Sequence, residues 1–164
     1  MRTFTGYTRG IGIGGWLTNF KRIAFLPEER RLRLTKGDLE HFQNYITKWD
    51  VDNIASMGVD HIRLAFDQIV LEEYGHPGVY REETFACIDR FLEWAHDAGL
   101  NVILNLHKAI GCYCDCTDGK NLLDEPELQD RFVAFWLEME RRYHDHGRGG
   151  RSKRSESEIR PGSS

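Results

Sequence analysis

The chain has no long hydrophobic run, no basic excess and no second cysteine pair, and each absence removes a class of function. None of its apolar stretches approaches the roughly 20 residues that a helix needs to cross a bilayer. With 22 Lys and Arg against 26 Asp and Glu, the formal net charge is −4. That balance leaves no electrostatic footprint for nucleic acid or for a membrane surface. The opening run Met1-Arg2-Thr3-Phe4-Thr5-Gly6 lacks the apolar core of an export signal, so nothing in it directs secretion. Of the four cysteines, Cys87 falls in a predicted helix and Cys112, Cys114 and Cys116 alternate in one loop. Zinc ligands are usually spaced C-x₂₋₄-C with a distant second pair, which is missing here. The loop cysteines therefore read as free thiols, with a local disulfide or a metal as alternatives.

What is present is the composition of a globular domain: 40% hydrophobic residues, 29% charged residues and four Trp in 164 residues. Three segments read as buried strands: Gly10-Ile11-Gly12-Ile13-Gly14-Gly15-Trp16-Leu17, Gly58-Val59-Asp60-His61-Ile62-Arg63-Leu64 and Gly99-Leu100-Asn101-Val102-Ile103-Leu104-Asn105-Leu106-His107-Lys108. The unit Gly-apolar-Asp/Asn-x-Ile recurs with a period of 41 residues, the length of one strand, loop, helix and loop. Strands two and three are apolar without strict alternation, as in a parallel sheet covered on both faces. Right-handed crossovers then place the helices outside. The predicted class is α/β with a parallel sheet.

Helix signals fall between the strands. Thr47-Lys48-Trp49-Asp50 has the pattern of a capping box, Val51, Ile54, Ala55 and Met57 follow on one face, and Gly58 is the stop. A second helix is predicted over 82–98, with Phe85, Ile88, Leu92 and Ala95 at helical spacing and Gly99 as its stop. A third starts at Asp124-Glu125-Pro126, carries Leu128, Phe132, Phe135, Trp136 and Met139 inward, and ends near Tyr143. Residues 21–47, with Pro27 and the run Glu28-Glu29-Arg30-Arg31, read as an elaborated loop with a short helix near 39–46.

As a set, these strand motifs resemble the opening of glycoside hydrolase family 5, the cellulases and endoglucanases. The resemblance covers about residues 4–146 and implies the first three to four βα units of a (β/α)8 barrel, whose closed form takes about 250 residues. It implies hydrolysis of β-1,4-glucan without a cofactor. Two glutamates about 5–5.5 Å apart carry out a retaining double displacement in such enzymes. The strands expected to carry them, the fourth and seventh, have no counterpart here. A barrel fragment that binds glucan, or has no activity, is therefore the alternative.

Site residues follow from the same motifs. Arg63 lies within strand two and matches an arginine that hydrogen-bonds the nucleophile in the family. A buried arginine must be paired, so an acidic partner at the sheet top is expected. His107 closes strand three in Asn105-Leu106-His107-Lys108, similar to a family segment whose histidine lines the subsite at the cleaved bond. Asn105 stands where the family commonly has Asp. Trp16 and Asn19 resemble the family's first strand end, where a Trp could stack on a sugar ring or fill the core. His61 and Asn105 are candidates for supporting contacts behind the substrate, and Asp67 and Glu72 are the candidate carboxylates in place of the missing pair. Asp115 and Glu125 are further carboxylates that would have to converge in that case. Asp124-Glu125-Pro126 also mimics the family's Asn-Glu-Pro motif, but a helix start accounts for Glu125.

From Gly147 the chain turns polar, with Ile159 as its single aliphatic residue. Such a segment buries too little to offset its ordering entropy. Residues 1–146 thus read as one domain and 147–164 as a disordered tail, native or derived from a shifted reading frame or vector. A partial barrel leaves open strand edges, and an inner face carrying Ile11, Ile13, Ile62, Leu64 and Ile103 or Leu104 predicts a homodimer or larger self-association.

Overall fold

The computed structural model describes residues 6–18, 33–112 and 121–144. Asn19, the charged run 28–31, Cys114, Asp115, Cys116 and the tail 147–164 lie outside the described residues. Three strands, β1 (Gly10–Leu17), β2 (His61–Asp67) and β3 (Asn101–Lys108), form a parallel sheet in the order β1-β2-β3. The helices are α1 (Lys36–Asn44), α2 (Lys48–Ser56), the single turn α3 (Gln68–Leu71), α4 (Glu82–Asp97) and α5 (Pro126–Tyr143). The result is an α/β fold that makes up part of a (β/α)8 barrel. Among the described residues no helix is long and apolar enough to cross a membrane.

Local sequence accounts for most element boundaries. Thr47 caps α2 as expected: its amide and hydroxyl donate to the Asp50 carboxylate at 2.8 and 2.6 Å. A second box of the same kind, Thr35 with Asp38, starts α1 at Lys36, three residues before the expected 39. Gly58 and Gly99 stop their helices with φ of +74°, a left-handed conformation that residues with a Cβ rarely adopt. The repeated Asp/Asn, two residues beyond each of these glycines, stitches the bottom of the sheet. The Asp60 carboxylate accepts from the Thr8 and Arg9 amides, and Asn101 donates to the Gly6 carbonyl at 2.9 Å.

Register separates the sheet into two unlike faces. Ile11 is the Cα partner of Ile62, Ile13 of Leu64, and Leu64 of Leu104, so these side chains share one face. That face meets the helices. Ile62, Leu64 and Phe66 are fully buried there with Val51 of α2, Phe85, Ile88, Phe91 and Ala95 of α4, and Phe135 and Met139 of α5. The expectation that Ile11, Ile13, Ile62, Leu64 and Leu104 line an inner face is therefore corrected. Only Ile103 of that set lies on the face opposite the helices, where β1 contributes Gly10, Gly12 and Gly14.

For Trp16, of the two expectations, the core position is the one found. Strict alternation from Ile13 would set it on the open face, but the register of β1 shifts between Ile13 and Leu17. Gly15, with φ +73°, takes up the irregularity, and its amide is held by the Thr18 hydroxyl at 3.0 Å. The indole turns into the core, 1% exposed, donating to the Phe42 carbonyl at 2.7 Å and lying 5.5 Å from the Phe91 ring. It offers no ring face to a sugar.

The last helix docks through charge as well as apolar contact. Arg142 reaches Glu82 at the start of α4 at 2.8 Å, bonds Glu138 on its own helix, and lies 3.9 Å over the Phe85 ring. Hydrogen bonds from Arg142 hold the Glu82 carboxyl below its ordinary range, and those from Arg141 and Arg142 do the same for Glu138. A carboxyl depressed in the folded state stabilises above its unfolded pKa, and that contribution is lost as pH falls through the folded value. The urea midpoint should thus stay level from neutrality to mildly acidic pH and fall below the ordinary glutamate range. In Arg142→Met the acid-side fall should be shallower, as urea titrations at a series of pH values would measure. Ile88→Ala, deep in α4, should cost about 2–5 kcal/mol at neutral pH.

Candidate active site

The C-terminal ends of the strands carry the polar side chains of the open face. Arg63, Ala65 and Asp67 of β2 alternate away from the helix side, beside Ile103, Asn105 and His107 of β3. Arg63 is exposed, and its Nη2 donates to the Asn105 Oδ1 at 2.6 Å. The expected buried arginine with an acidic partner is thus corrected: the acceptor is a neutral amide oxygen, and the guanidinium faces the open side of the sheet. The asparagine keeps the hydrogen bond that orients Arg63 and leaves the cation un-neutralised by it. The β1 neighbours offer no cover, since a Cβ added at Gly12 or Gly14 would meet nothing within 4 Å.

His107 follows Asn105 on this face at an irregularity in the ladder. Phe66 pairs with Leu106 and Asp67 with Lys108, so His107 is the extra residue of a bulge, half-buried at the rim. Adjacent to it, Asp67 and Lys108 are Cα partners of opposite charge and are 0% and 2% exposed. Asn105, His107 and Asp67 thereby lie in the C-terminal part of the sheet, and Arg63, nearer the start of β2, reaches Asn105 with its guanidinium. Strand-end placement of this kind is where (β/α)8 barrels build their active sites.

His61 does not join them. It opens β2 at the opposite end, where its Nδ1 lies 2.6 Å from Asp60 Oδ1 and its ring 5.3 Å from that of Tyr7. A Cβ at Gly10 would come within 2.1 Å of His61 Nε2, so that glycine makes room for the ring. His61 is a sheet-bottom residue, and its candidacy as a supporting contact for the substrate is corrected.

Glu72 is corrected too, because both of its oxygens are occupied in the protein interior. Oε1 accepts from Arg131 Nε at 3.1 Å and from the Gly78 amide at 2.8 Å, and Oε2 accepts from Gln68 Nε2 at 2.6 Å. Arg131 of α5 spends its other nitrogens on the Tyr74 and Glu73 carbonyls at 2.9 and 2.7 Å. Neither Arg131 nor Gln68 was expected from the sequence to matter. Arg131 sits between Asp130 and Phe132 like any solvent-facing helix residue, and its half-buried position is the one hint that periodicity could have offered. Glu125 is the exposed N-cap of α5, its carbonyl accepting from the Leu128 and Gln129 amides at 3.0 and 3.1 Å, in line with a helix start. Cys112, described and exposed, lies beyond the β3 end.

This arrangement is matched by known proteins. The profile of Cellulase (glycosyl hydrolase family 5) covers residues 27–148. The chain belongs to glycosyl hydrolase family 5. Endoglucanase C of Acetivibrio thermocellus is 32% identical over 137 residues, which are 84% of this chain and 36% of that protein. Cellodextrinase A of Ruminococcus flavefaciens is 29% identical over 142 residues, 85% of this chain and 37% of that protein. The chain thus spans little more than a third of the length of these curated relatives. A solved structure, the crystal structure of AoRut, superposes with a TM-score of 0.69 at 19% identity, over 87% of this chain and 46% of that one. The likeness to AoRut is one of fold.

Within this family-5 sector, the Glu72–Arg131 pair anchors α5 beneath the strand ends. Their side chains are 2% and 10% exposed. Removing one partner leaves a buried charge uncompensated, which costs about 3–5 kcal/mol. Arg131→Met should therefore lower unfolding free energy by about that amount in denaturant titrations. Arg141→Ala, at an exposed helix position, should change it by less than about 1 kcal/mol.

Proposed function

We propose that the open face at the strand ends is the glucan-binding part of a cellulase-like site acting on β-1,4-glucan, with Arg63 and His107 facing the sugar. The Arg63–Asn105 hydrogen bond carries this reading. It aims an exposed guanidinium, with spare donors, across a face whose β1 side is lined by small glycines. Donors of this kind suit a polyhydroxylated chain or a reacting carboxylate. Membership of family 5 and likeness to an endoglucanase and a cellodextrinase supply the substrate class.

In a retaining enzyme one carboxyl protonates the leaving oxygen and a second, about 5–5.5 Å away, attacks the anomeric carbon. Among the described strand-end residues Asp67 is the one carboxylate on this face, because Glu72 is tied to Arg131. That observation favours a second reading, glucan binding without turnover. Reducing-sugar release and cello-oligosaccharide binding, measured on the same preparation, separate the two. In either case Arg63→Ala and His107→Ala should weaken the measured property about tenfold or more, while Glu125→Gln leaves it within twofold. Equal losses in all three variants would sink the assignment.

Self-association is part of the same reading, now on a different basis. The edges β1 and β3 end the sheet among the described residues, and the outer helices expose Trp49 at 71% and Met57 at 66% on one flank, and Val133 at 56% and Leu137 at 63% on the other. Burying such side chains contributes roughly 1.5–3 kcal/mol each. Sedimentation at micromolar concentration should show a dimer or larger species, and Leu137→Glu should shift it toward monomer. A well-folded wild-type monomer would refute this.

A further inference from the structure

The two halves of β1 are attached to the sheet in different ways. From Ile13 onward the strand is anchored by burial, through Ile13, Trp16 and Leu17. Residues 6–12 are all exposed, Ile11 included. Their attachment is polar and converges on Asp60, the residue before β2. The Asp60 carboxylate accepts from the Thr8 amide at 2.8 Å and the Arg9 amide at 3.1 Å, and its own amide donates to the Arg9 carbonyl at 2.8 Å. Its carbonyl accepts from the Asn101 amide at 3.0 Å, and the Asn101 side chain donates to the Gly6 carbonyl at 2.9 Å. One residue thus ties the chain that enters β1 to the starts of both β2 and β3.

His61 holds this latch from the β2 side, its Nδ1 lying 2.6 Å from Asp60 Oδ1. An ionised carboxylate only accepts, so Nδ1 carries the proton and the bond persists whether the ring is neutral or charged. The same ring lies against Tyr7 and fills the space that a Cβ at Gly10 would need. The groups that face the latch are therefore His61 of β2, Tyr7 beyond it, the amides of Thr8 and Arg9, and the neutral Asn101 of β3. The hydrogen bond from His61, followed by those from the two amides, holds the Asp60 carboxyl below its ordinary range. A carboxyl lowered in this way contributes above its unfolded pKa, and the contribution is lost as pH falls through the folded value.

Segments with exposed backbone bonds and little buried apolar surface open ahead of the whole fold. A place to bend is present too. Gly12 is the last residue before Ile13 enters the core, and a Cβ there would meet nothing within 4 Å. We propose that residues 6–12 form a clasp, latched by Asp60 and His61, that opens as one unit about Gly12 and uncovers the β2 edge. Gly10, Ile11 and Gly12 are the Cα partners of His61, Ile62 and Arg63, so opening removes these three pairs and leaves the backbone of His61–Arg63 without its neighbour. The clasp lies at the bottom of the sheet and does not depend on what the open face binds.

The test is amide hydrogen exchange on the full chain, followed by NMR and expressed as protection relative to the free peptide. In wild type the protected amides of residues 8–12 should share one protection factor, about tenfold or more below those of Leu64 in β2 and Ile88 in α4. Asp60→Ala should lower the whole block together by a further tenfold or more and leave Leu64 and Ile88 within twofold. If Asp60→Ala does not fold, Gly10→Ala, whose new Cβ displaces the His61 ring, carries the same readout. Acid supplies a second arm: protection of the wild-type block should drop as pH falls below the ordinary Asp range, with Leu64 still protected, and Asp60→Ala should show no such step. A loss confined to Thr8 and Arg9, with Ile11 and Gly12 unmoved, would overturn the clasp, because the bonds would then open singly. An equal loss at Leu64 would overturn it as well, since the opening would be that of the whole domain. So would a wild-type block that keeps its protection in acid.

Discussion

The buried ion pair between Arg131 and Glu72 is the contact on which the order of the strand ends depends. A charged pair in the interior stabilises little against an apolar pair of the same size, because both ions lose their hydration. Its effect lies in what it excludes. With five donors in a rigid fork, Arg131 can be satisfied only when Glu72, Glu73 and Tyr74 present their acceptors together. Helix α5 is thereby held to the loop after β2, although the two are far apart in sequence. Through Glu72 the constraint reaches Gln68, and through Gln68 it reaches the backbone just past β3. One salt bridge thus sets the relative position of two loops that border the candidate site.

A second constraint divides the sheet into a packed side and an open side. The helix side takes most of the large apolar residues of the strands, and α4 fills its centre. The open side takes glycine from β1, Arg63, Ala65 and Asp67 from β2, and Ile103, Asn105 and His107 from β3. Because side chains alternate along a strand, the two roles are interleaved residue by residue and are settled by register alone. Two irregularities interrupt the register. At Gly14-Gly15 one diverts Trp16 into the core, and at His107 another places an imidazole at the rim. Both sit at the C-terminal end of their strands, where a barrel of this family builds its chemistry.

The family relationship supplies the fold, and the geometry shows which side chains the open face carries. Relatives that include an endoglucanase and a cellodextrinase extend well beyond the matched region, so the shared part is the opening of the barrel. In that part the polar side chains of the open face are a guanidinium, an amide, an imidazole and the Asp67 carboxylate. The carboxylate most suggestive from the sequence, Glu72, is committed to structure. The remaining one, Asp67, is fully buried and is the Cα partner of Lys108.

The sequence by itself determined the element order, the parallel sheet, the helix starts at Thr47 and Pro126, the glycine stops and the family. These follow from local rules, namely caps, left-handed turns and a 41-residue repeat, or from motifs read in order along the chain. It also named Arg63, Asn105 and His107, because strand ends are recognisable by position. Only the tertiary structure decided which face each side chain takes. A two-residue bulge shift reversed Trp16, the strand polarity sent His61 to the wrong end, and the partner of Arg63 proved to be Asn105. Gln68, Glu72 and Arg131 form one network only in space. Long-range pairing of polar side chains leaves no periodic trace in a sequence, so nothing along the chain marks them as a unit.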